Sequence, residues 1–288
     1  METSISNTQF NALEIKRRNH INILGEGEHV ILLAHGFGCS QNMWRFLTPY
    51  LEKHYKVVLF DYVGSGNSDV RAYQKNRYSQ LEGYALDVIE ICDSLDFSNV
   101  LFVGHSVGAT IGLITAHLRP DLIDKLVMVC PSPCFLNLND GYSGGFEKSD
   151  LEELVNLMDK NYIGWGNYLA PLVMNSIPSA TDTEQETDDV LVQELLTSFC
   201  STDPTYSKPF AIATFFSDYR HLLPKIHHPC LVIQSKQDAL VPIEVGKYTQ
   251  KQLPNAKLDI INGKGHCLHM TYPSKVLNSI LDFIDQTQ

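Results

Sequence analysis

The sequence predicts an α/β protein: a mostly parallel, eight-stranded sheet flanked by helices and interrupted by a helical insertion. Three observations carry that prediction. Apolar runs of strand length, such as Val30-Ile31-Leu32-Leu33-Ala34 and Leu126-Val127-Met128-Val129-Cys130, are hydrophobic at every position, as in strands covered on both faces. These runs alternate with helical stretches. The alternation stops near Pro133, leaves only helical patterns until Tyr219, and then resumes. The domain division is therefore a sheet core over 1–132 and 220–288 with a helical lid over 133–219.

The elements follow in order. Residues 1–11 read as a frayed tail. Leu13–Lys16 and His20–Leu24 read as two short strands joined at Arg17-Arg18-Asn19. Val30–Ala34 is the next strand and ends in His35-Gly36-Phe37-Gly38. Gln41–Tyr55 reads as a helix with Trp44, Leu47 and Leu51 on one face. Lys56–Phe60 is a strand running into the loop Asp61 to Ser68. Tyr78–Leu95 is amphipathic, with Leu81, Tyr84, Ala85, Val88, Ile89 and Cys92 facing inward. In the insertion, Ser149-Asp150-Leu151-Glu152 has the pattern of a capping box. Trp165–Asn175 is a second helix that Pro171 should shorten or kink. Asp188–Phe199 is a third, and Asp203-Pro204 opens a fourth reaching Phe216. Strands at Cys230–Gln234 and Leu258–Ile261, with helices at Ile243–Leu253 and Pro273–Asp285, complete the sheet.

Composition narrows the function. The chain has 288 residues, 44 % of them hydrophobic, and a formal net charge of −11. An acidic balance argues against nucleic acid or an anionic membrane as partner and favours a small neutral or apolar substrate. The seven cysteines are odd in number and irregularly spaced, which fits reduced thiols in the cytoplasm. Met1–Phe10 lacks the apolar core of a signal peptide, and no apolar run is long enough to span a bilayer. No H-x-x-x-H or C-x-x-C spacing points to a metal.

The chemistry centres on Gly104-His105-Ser106-Val107-Gly108, set between the strand Val100–Val103 and a helix that stops near Arg119-Pro120. A G-x-S-x-G in that context is a nucleophile elbow, the signature of the α/β-hydrolase fold. A serine hydroxyl is a weak nucleophile and must be presented bare on a sharp turn where a base reaches it. In that fold the order along the chain is Ser, acid, His. The fitting acid is Asp238, in the loop after the penultimate strand; alone it also reads as a turn or helix-cap residue. The fitting base is His266, in the loop after the last strand. His269, His227 and His228 compete, but only Gly265-His266 follows the strand's loop directly. His105 reads as structural, and Asp61, which precedes Ser106, as the anchor of the Gly64-Ser65-Gly66 loop. Oxyanion donors would be the backbone N–H groups of Val107 and of a residue in the His35–Gly38 loop, most simply Phe37.

Beyond the elbow, His35–Gly38, Phe60–Gly66, Pro131–Cys134, Gly144–Glu147, Asn161–Trp165, Phe199–Pro204 and Gly265–Met270 resemble the RsbQ-type bacterial hydrolases. Those act in the energy-stress arm of general stress sigma-factor control and are similar to the plant strigolactone and karrikin receptors. The resemblance runs from about Asn11 to the end of the chain. It implies Ser106, Asp238 and His266 as catalytic triad and Phe37 and Val107 as oxyanion donors. It also implies a four-helix, V-shaped lid over an apolar pocket. Trp165 and Phe215 would line that pocket, joined by Leu169, Phe135 and Tyr162. The expected activity is cofactor-free hydrolysis of a small hydrophobic ester or lactone, with a PAS-domain phosphatase as partner. A general carboxylesterase, a small-molecule receptor without turnover and a cofactor-free perhydrolase are the alternatives. Dehalogenase and epoxide hydrolase chemistry on this fold uses Asp where this chain has Ser106.

Overall fold

The computed structural model describes residues 12–174 and 186–287. The chain opens with helix α1 (Ala12–Arg18) and strand β1 (Asn22–Leu24), followed by β2 (Val30–Ala34). A 3₁₀ turn at Gln41–Trp44 precedes α2 (Thr48–Leu51) and β3 (Lys56–Leu59). Next come α3 (Leu81–Ser94), β4 (Val100–His105), α4 (Val107–Leu118) and β5 (Ile123–Val129). Four helices follow: α5 (Lys148–Lys160), α6 (Tyr162–Met174), α7 (Glu186–Ser201) and α8 (Pro204–Phe215). The chain then returns through β6 (Cys230–Gln237), α9 (Ile243–Gln252) and β7 (Ala256–Lys264), and ends in α10 (Leu268–Thr271) and α11 (Pro273–Asp285).

The sheet order is β1-β3-β2-β4-β5-β6-β7. Only β1 runs antiparallel; every other neighbouring pair is parallel. All six parallel strands therefore end on one edge. Alternation along the strands divides two apolar layers. Ile31, Leu33, Leu101, Val103, Val127 and Val129 face the side that continues into the inserted helices. Leu32, Ala34, Val58, Phe102, Leu126 and Met128 face α3 and α4. Burial on both faces explains why these strands read as unbroken apolar runs.

The strand count differs from expectation: the described sheet has seven strands, because Leu13–Lys16 lies in α1. Ile15 and Arg18 are both buried. Three residues apart, they share a helical face but would point to opposite sides of a strand. Arg18 uses that face to reach Glu90 and Asp87. The helix expected at Gln41–Tyr55 is broken into the 3₁₀ turn and α2, with Pro49 in the first turn of α2. The capping box opening α5 is Glu147 with Asp150, two residues earlier than the Ser149 pattern. Helix α6 runs through Pro171; Asn175 and residues 1–11 lie outside the described residues.

A buried ionic cluster ties the N-terminal helix to α3. The Asp87 side chain is fully buried. It accepts from Arg77 (2.6 Å) and from the Tyr78 hydroxyl (3.0 Å), with the Arg18 guanidinium at 3.3 Å. Burial raises its carboxyl above the ordinary range, and the two guanidinium groups pull it back.

Candidate active site

Strand β4 ends at the elbow. Ser106 stands at φ 54°, ψ −120°, a backbone conformation that costs an L-residue roughly 1–3 kcal/mol. Its N–H donates to Val129 O at 2.9 Å, and its carbonyl accepts from Ala109 N at 3.0 Å, so the strained turn is held from both sides. The flanking glycines are required by contact. A Cβ on Gly108 would stand 2.7 Å from the carbonyl oxygens of Ala34 and His35, and one on Gly104 2.5 Å from Ala109 N. Val107 is the first residue of α4, so its N–H belongs to the open donors of a helix start.

The loop after β2 is fixed by His35. The Tyr62 N–H donates to His35 Nε2 (3.2 Å), so Nδ1 carries the proton and donates to Gly36 O (2.8 Å). Burial lowers the His35 pKa and keeps the ring neutral. Phe37, next in the chain, sets its ring edge-on against Phe215 and Phe210, 5.6 Å between centroids in each case. Asp61 braces the neighbouring loop, accepting from Gln41 N (2.8 Å) and Asn67 N (2.9 Å).

Asp238 follows β6 and His266 follows β7, on the same sheet edge as the elbow. His266 Nδ1 donates to Asp238 Oδ2 at 2.8 Å. Asp238 Oδ1 accepts from the backbone N–H groups of Leu240 (2.9 Å) and Val241 (3.0 Å). The Asp238 side chain is fully buried and that of His266 is 3 % exposed. His266 Nε2 has no hydrogen-bond partner among the described residues and lines the same cavity as Ser106. Catalytic hydrogen bonds are often long in an unliganded enzyme and tighten around substrate.

Two neighbouring histidines, the structural His105 and the expected competitor His269, take other roles. His105 Nε2 donates to the backbone oxygen of His266 (3.0 Å), holding the loop from below. His269 is fully buried, its ring 4.5 Å from those of Trp44 and His105, and burial pushes its pKa down to about 3.

A tight, mostly apolar cavity of about 30 Å³, roughly the space of one water, covers Ser106 and His266. Phe37, Phe135, Leu169 and Phe215 form its wall. Trp165 and Tyr162, expected there, stand one layer back. Trp165 packs between Phe37 (6.0 Å) and Phe199 (5.2 Å). Tyr162 stacks on Trp165, because its hydroxyl takes its partners from Phe199 O (3.1 Å) and Ser207 Oγ (2.9 Å).

The comparisons agree with this architecture. The family described as alpha/beta hydrolase fold matches residues 29–158, and the TAP-like protein family matches 217–288. Karrikin insensitive 2 receptor CA of Petunia hybrida is 38 % identical, covering 94 % of this chain and 97 % of that protein. The chain belongs to the α/β-hydrolase family. Strigolactone esterase D14 of Arabidopsis thaliana is 34 % identical to this α/β-hydrolase over 93 % of the chain and 96 % of its own length. A solved hydrolase from Oleispira antarctica superposes with a TM-score of 0.90 at 52 % identity, covering 96 % of this chain and 98 % of its own. The protein is thus an α/β-hydrolase enzyme.

Several residues of this α/β-hydrolase's site escape sequence reading. Cys130 directly follows β5 at φ 47° and is fully buried. Its sulfur, the Asp238 carboxylate and a ring nitrogen of His266 all lie within 4.8 Å of one another. The three could in principle offer ligands to a metal, but the 2.8 Å Asp238–His266 bond already uses Nδ1 and Oδ2. Thr214 and Leu240 also line the cavity. Leu240 was within reach of inference, two residues after the acid. Thr214 carries no such signal, because it sits inside a helix with no evident polar task.

Proposed function

We infer that the protein hydrolyses a small hydrophobic ester or lactone by a Ser-His-Asp mechanism. The observation that carries this is the buried His266 Nδ1–Asp238 bond with Nε2 left open to the cavity that Ser106 lines. Ser106 Oγ attacks the acyl carbon as its proton passes to His266 Nε2. Asp238 holds the ring in the tautomer with Nε2 free and stabilises the imidazolium. The N–H groups of Phe37 and Val107 would receive the oxyanion. The imidazolium then protonates the leaving oxygen, and water repeats the sequence in reverse to release the acid. General-base assistance of this kind contributes roughly 10²–10⁴ in rate. Ser106→Ala is expected to abolish turnover of a chromogenic short-chain ester and labelling by a serine-directed phosphonate. Undiminished turnover would overturn the assignment.

Signalling is a second reading, favoured by relatives that are themselves called receptors. In it the protein hands the result of ligand binding or turnover to a PAS-domain phosphatase in the cytoplasm. Its seven free cysteines are in keeping with a reducing compartment. Co-purification of such a phosphatase with wild type but not with Ser106→Ala is the expected result. Absence of binding, together with an unaltered stress response in a deletion strain, would remove this reading.

A further inference from the structure

The cavity wall contains one hydroxyl that the proposed chemistry does not use. Thr214 is the penultimate residue of α8 and is 3 % exposed. Its Oγ1 is buried and has no hydrogen-bond partner among the described residues. A helical threonine ordinarily has an easy outlet, the carbonyl four residues back. The same chain uses that outlet in α4, where Thr115 Oγ1 donates to Ile111 O at 2.9 Å. Thr110, also in α4, donates instead to Ser132 O at 3.0 Å. Thr214 takes neither course. Of the buried hydroxyls left unpartnered among the described residues, it is the one that lines the cavity over Ser106. Most of the cavity lining is apolar, including Phe37, Phe135, Leu169, Phe215 and Leu240, and the polar lining residues Ser106 and His266 make no hydrogen bond to the Thr214 hydroxyl.

A polar group buried without a partner is costly, and native proteins keep few of them. One aimed into a ligand cavity is satisfied when the ligand brings the partner. We propose that Thr214 determines specificity, its hydroxyl donating to a second oxygen of the substrate that is not part of the scissile group. The preferred substrates are then small esters or lactones that are apolar over most of their surface and carry one further ether, carbonyl or hydroxyl oxygen. A wholly hydrocarbon acyl chain would fill the same space and leave the hydroxyl unpaired. Sites built to pair a substrate oxygen discriminate against analogues that lack it.

The proposal rests on hydrolysis at Ser106, and its test separates the two. Chromogenic 4-nitrophenyl esters are compared in isosteric pairs: methoxyacetate with butyrate, 3-methoxypropionate with pentanoate, and 4-methoxybutyrate with hexanoate. Dividing the ether-to-methylene ratio of kcat/KM for wild type by that for Thr214→Val cancels the intrinsic reactivity of each ester. For at least one pair this quotient should be about tenfold, the scale of one neutral hydrogen bond. Thr214→Ser, which keeps the hydroxyl, should hold the wild-type ratio. Thr214→Val should also raise Tm in the unliganded protein, since it removes an unpaired hydroxyl. Calorimetric binding of the same pairs to Ser106→Ala and to Ser106→Ala/Thr214→Val reads recognition without turnover. A selective loss of affinity for one ether ester in the double variant supports Thr214 even where Ser106 proves not to be the nucleophile. Quotients within twofold of unity for every pair, with equal affinities in the two Ser106→Ala backgrounds, would overturn the role of Thr214 and leave that of Ser106 standing.

Discussion

Replacing Asp238 by Asn tests how the acid orients His266 more sharply than deleting it. Three N–H groups donate to the carboxylate: those of Leu240 and Val241 to Oδ1, and His266 Nδ1 to Oδ2. An amide has one oxygen and one NH₂. The two backbone N–H groups are fixed donors, so the amide oxygen must face them and the NH₂ must face His266. Nδ1 then has to accept, which moves the ring proton to Nε2, the nitrogen that should take the proton of Ser106. Flipping the amide restores the tautomer only by facing NH₂ to two buried N–H groups. Each group left unpaired costs roughly 1–3 kcal/mol, so the flip costs roughly 2–6 kcal/mol. That reduces the competent population by a factor of about 30 to 10⁴, and tautomer errors in serine hydrolases reach about 10⁴ in kcat. The assay is kcat for a 4-nitrophenyl ester at neutral pH, with Tm measured in parallel to establish folding. A folded Asp238→Asn protein retaining more than a tenth of wild-type kcat would refute the reasoning.

Two further outcomes follow from buried charge. His269 titrates near 3 in the folded protein against an ordinary value of about 6.5. The unfolded chain therefore binds a proton between those values that the native state refuses. Stability is complete above pH 6.5 and falls with acidification by up to about 1.4 kcal/mol per pH unit. His269→Leu should flatten the fall of Tm between pH 6.5 and 4, and an unchanged profile would contradict it. Asp87→Ala should destabilise by roughly 3 kcal/mol, the low end for breaking a buried ion pair, because Glu90 still pairs Arg77 at 2.8 Å. Urea denaturation measures it, and a loss under 1 kcal/mol would show that the cluster relaxes.

The sheet was legible because its strands are covered on both faces, which writes unbroken apolar runs into the sequence. The elbow, acid and base were legible because the fold delivers them in a fixed order at successive strand ends. What failed to show was local competition. Ala12–Arg18 carries residues that suit a short strand or a short helix, and the choice is made by Asp87 and Glu90, about 70 residues away. Trp165 and Tyr162 have the size and apolarity of wall residues, and only the partners of the Tyr162 hydroxyl put them behind it. Cys130 owes its place beside Asp238 to a left-handed backbone that a cysteine seldom adopts, so no pattern announces it.

The inserted helices also hold the machinery they cover. The His266 N–H donates to Val173 O, at the end of α6, at 2.8 Å. Gly265 stands at φ 86° with room for no Cβ, since one would lie 2.8 Å from Met174 O. On the other side, Ser198 Oγ of α7 donates to Gly38 O at 2.8 Å, one residue beyond Phe37. Base and oxyanion loop are thus each tethered to the roof. Any displacement of α6 or α7 wide enough to admit a ligand breaks these bonds or pulls the tethered loops along. The roof is therefore part of the scaffold of the site: the positions of the base and of the oxyanion loop are set as much by the inserted helices as by the sheet edge beneath them.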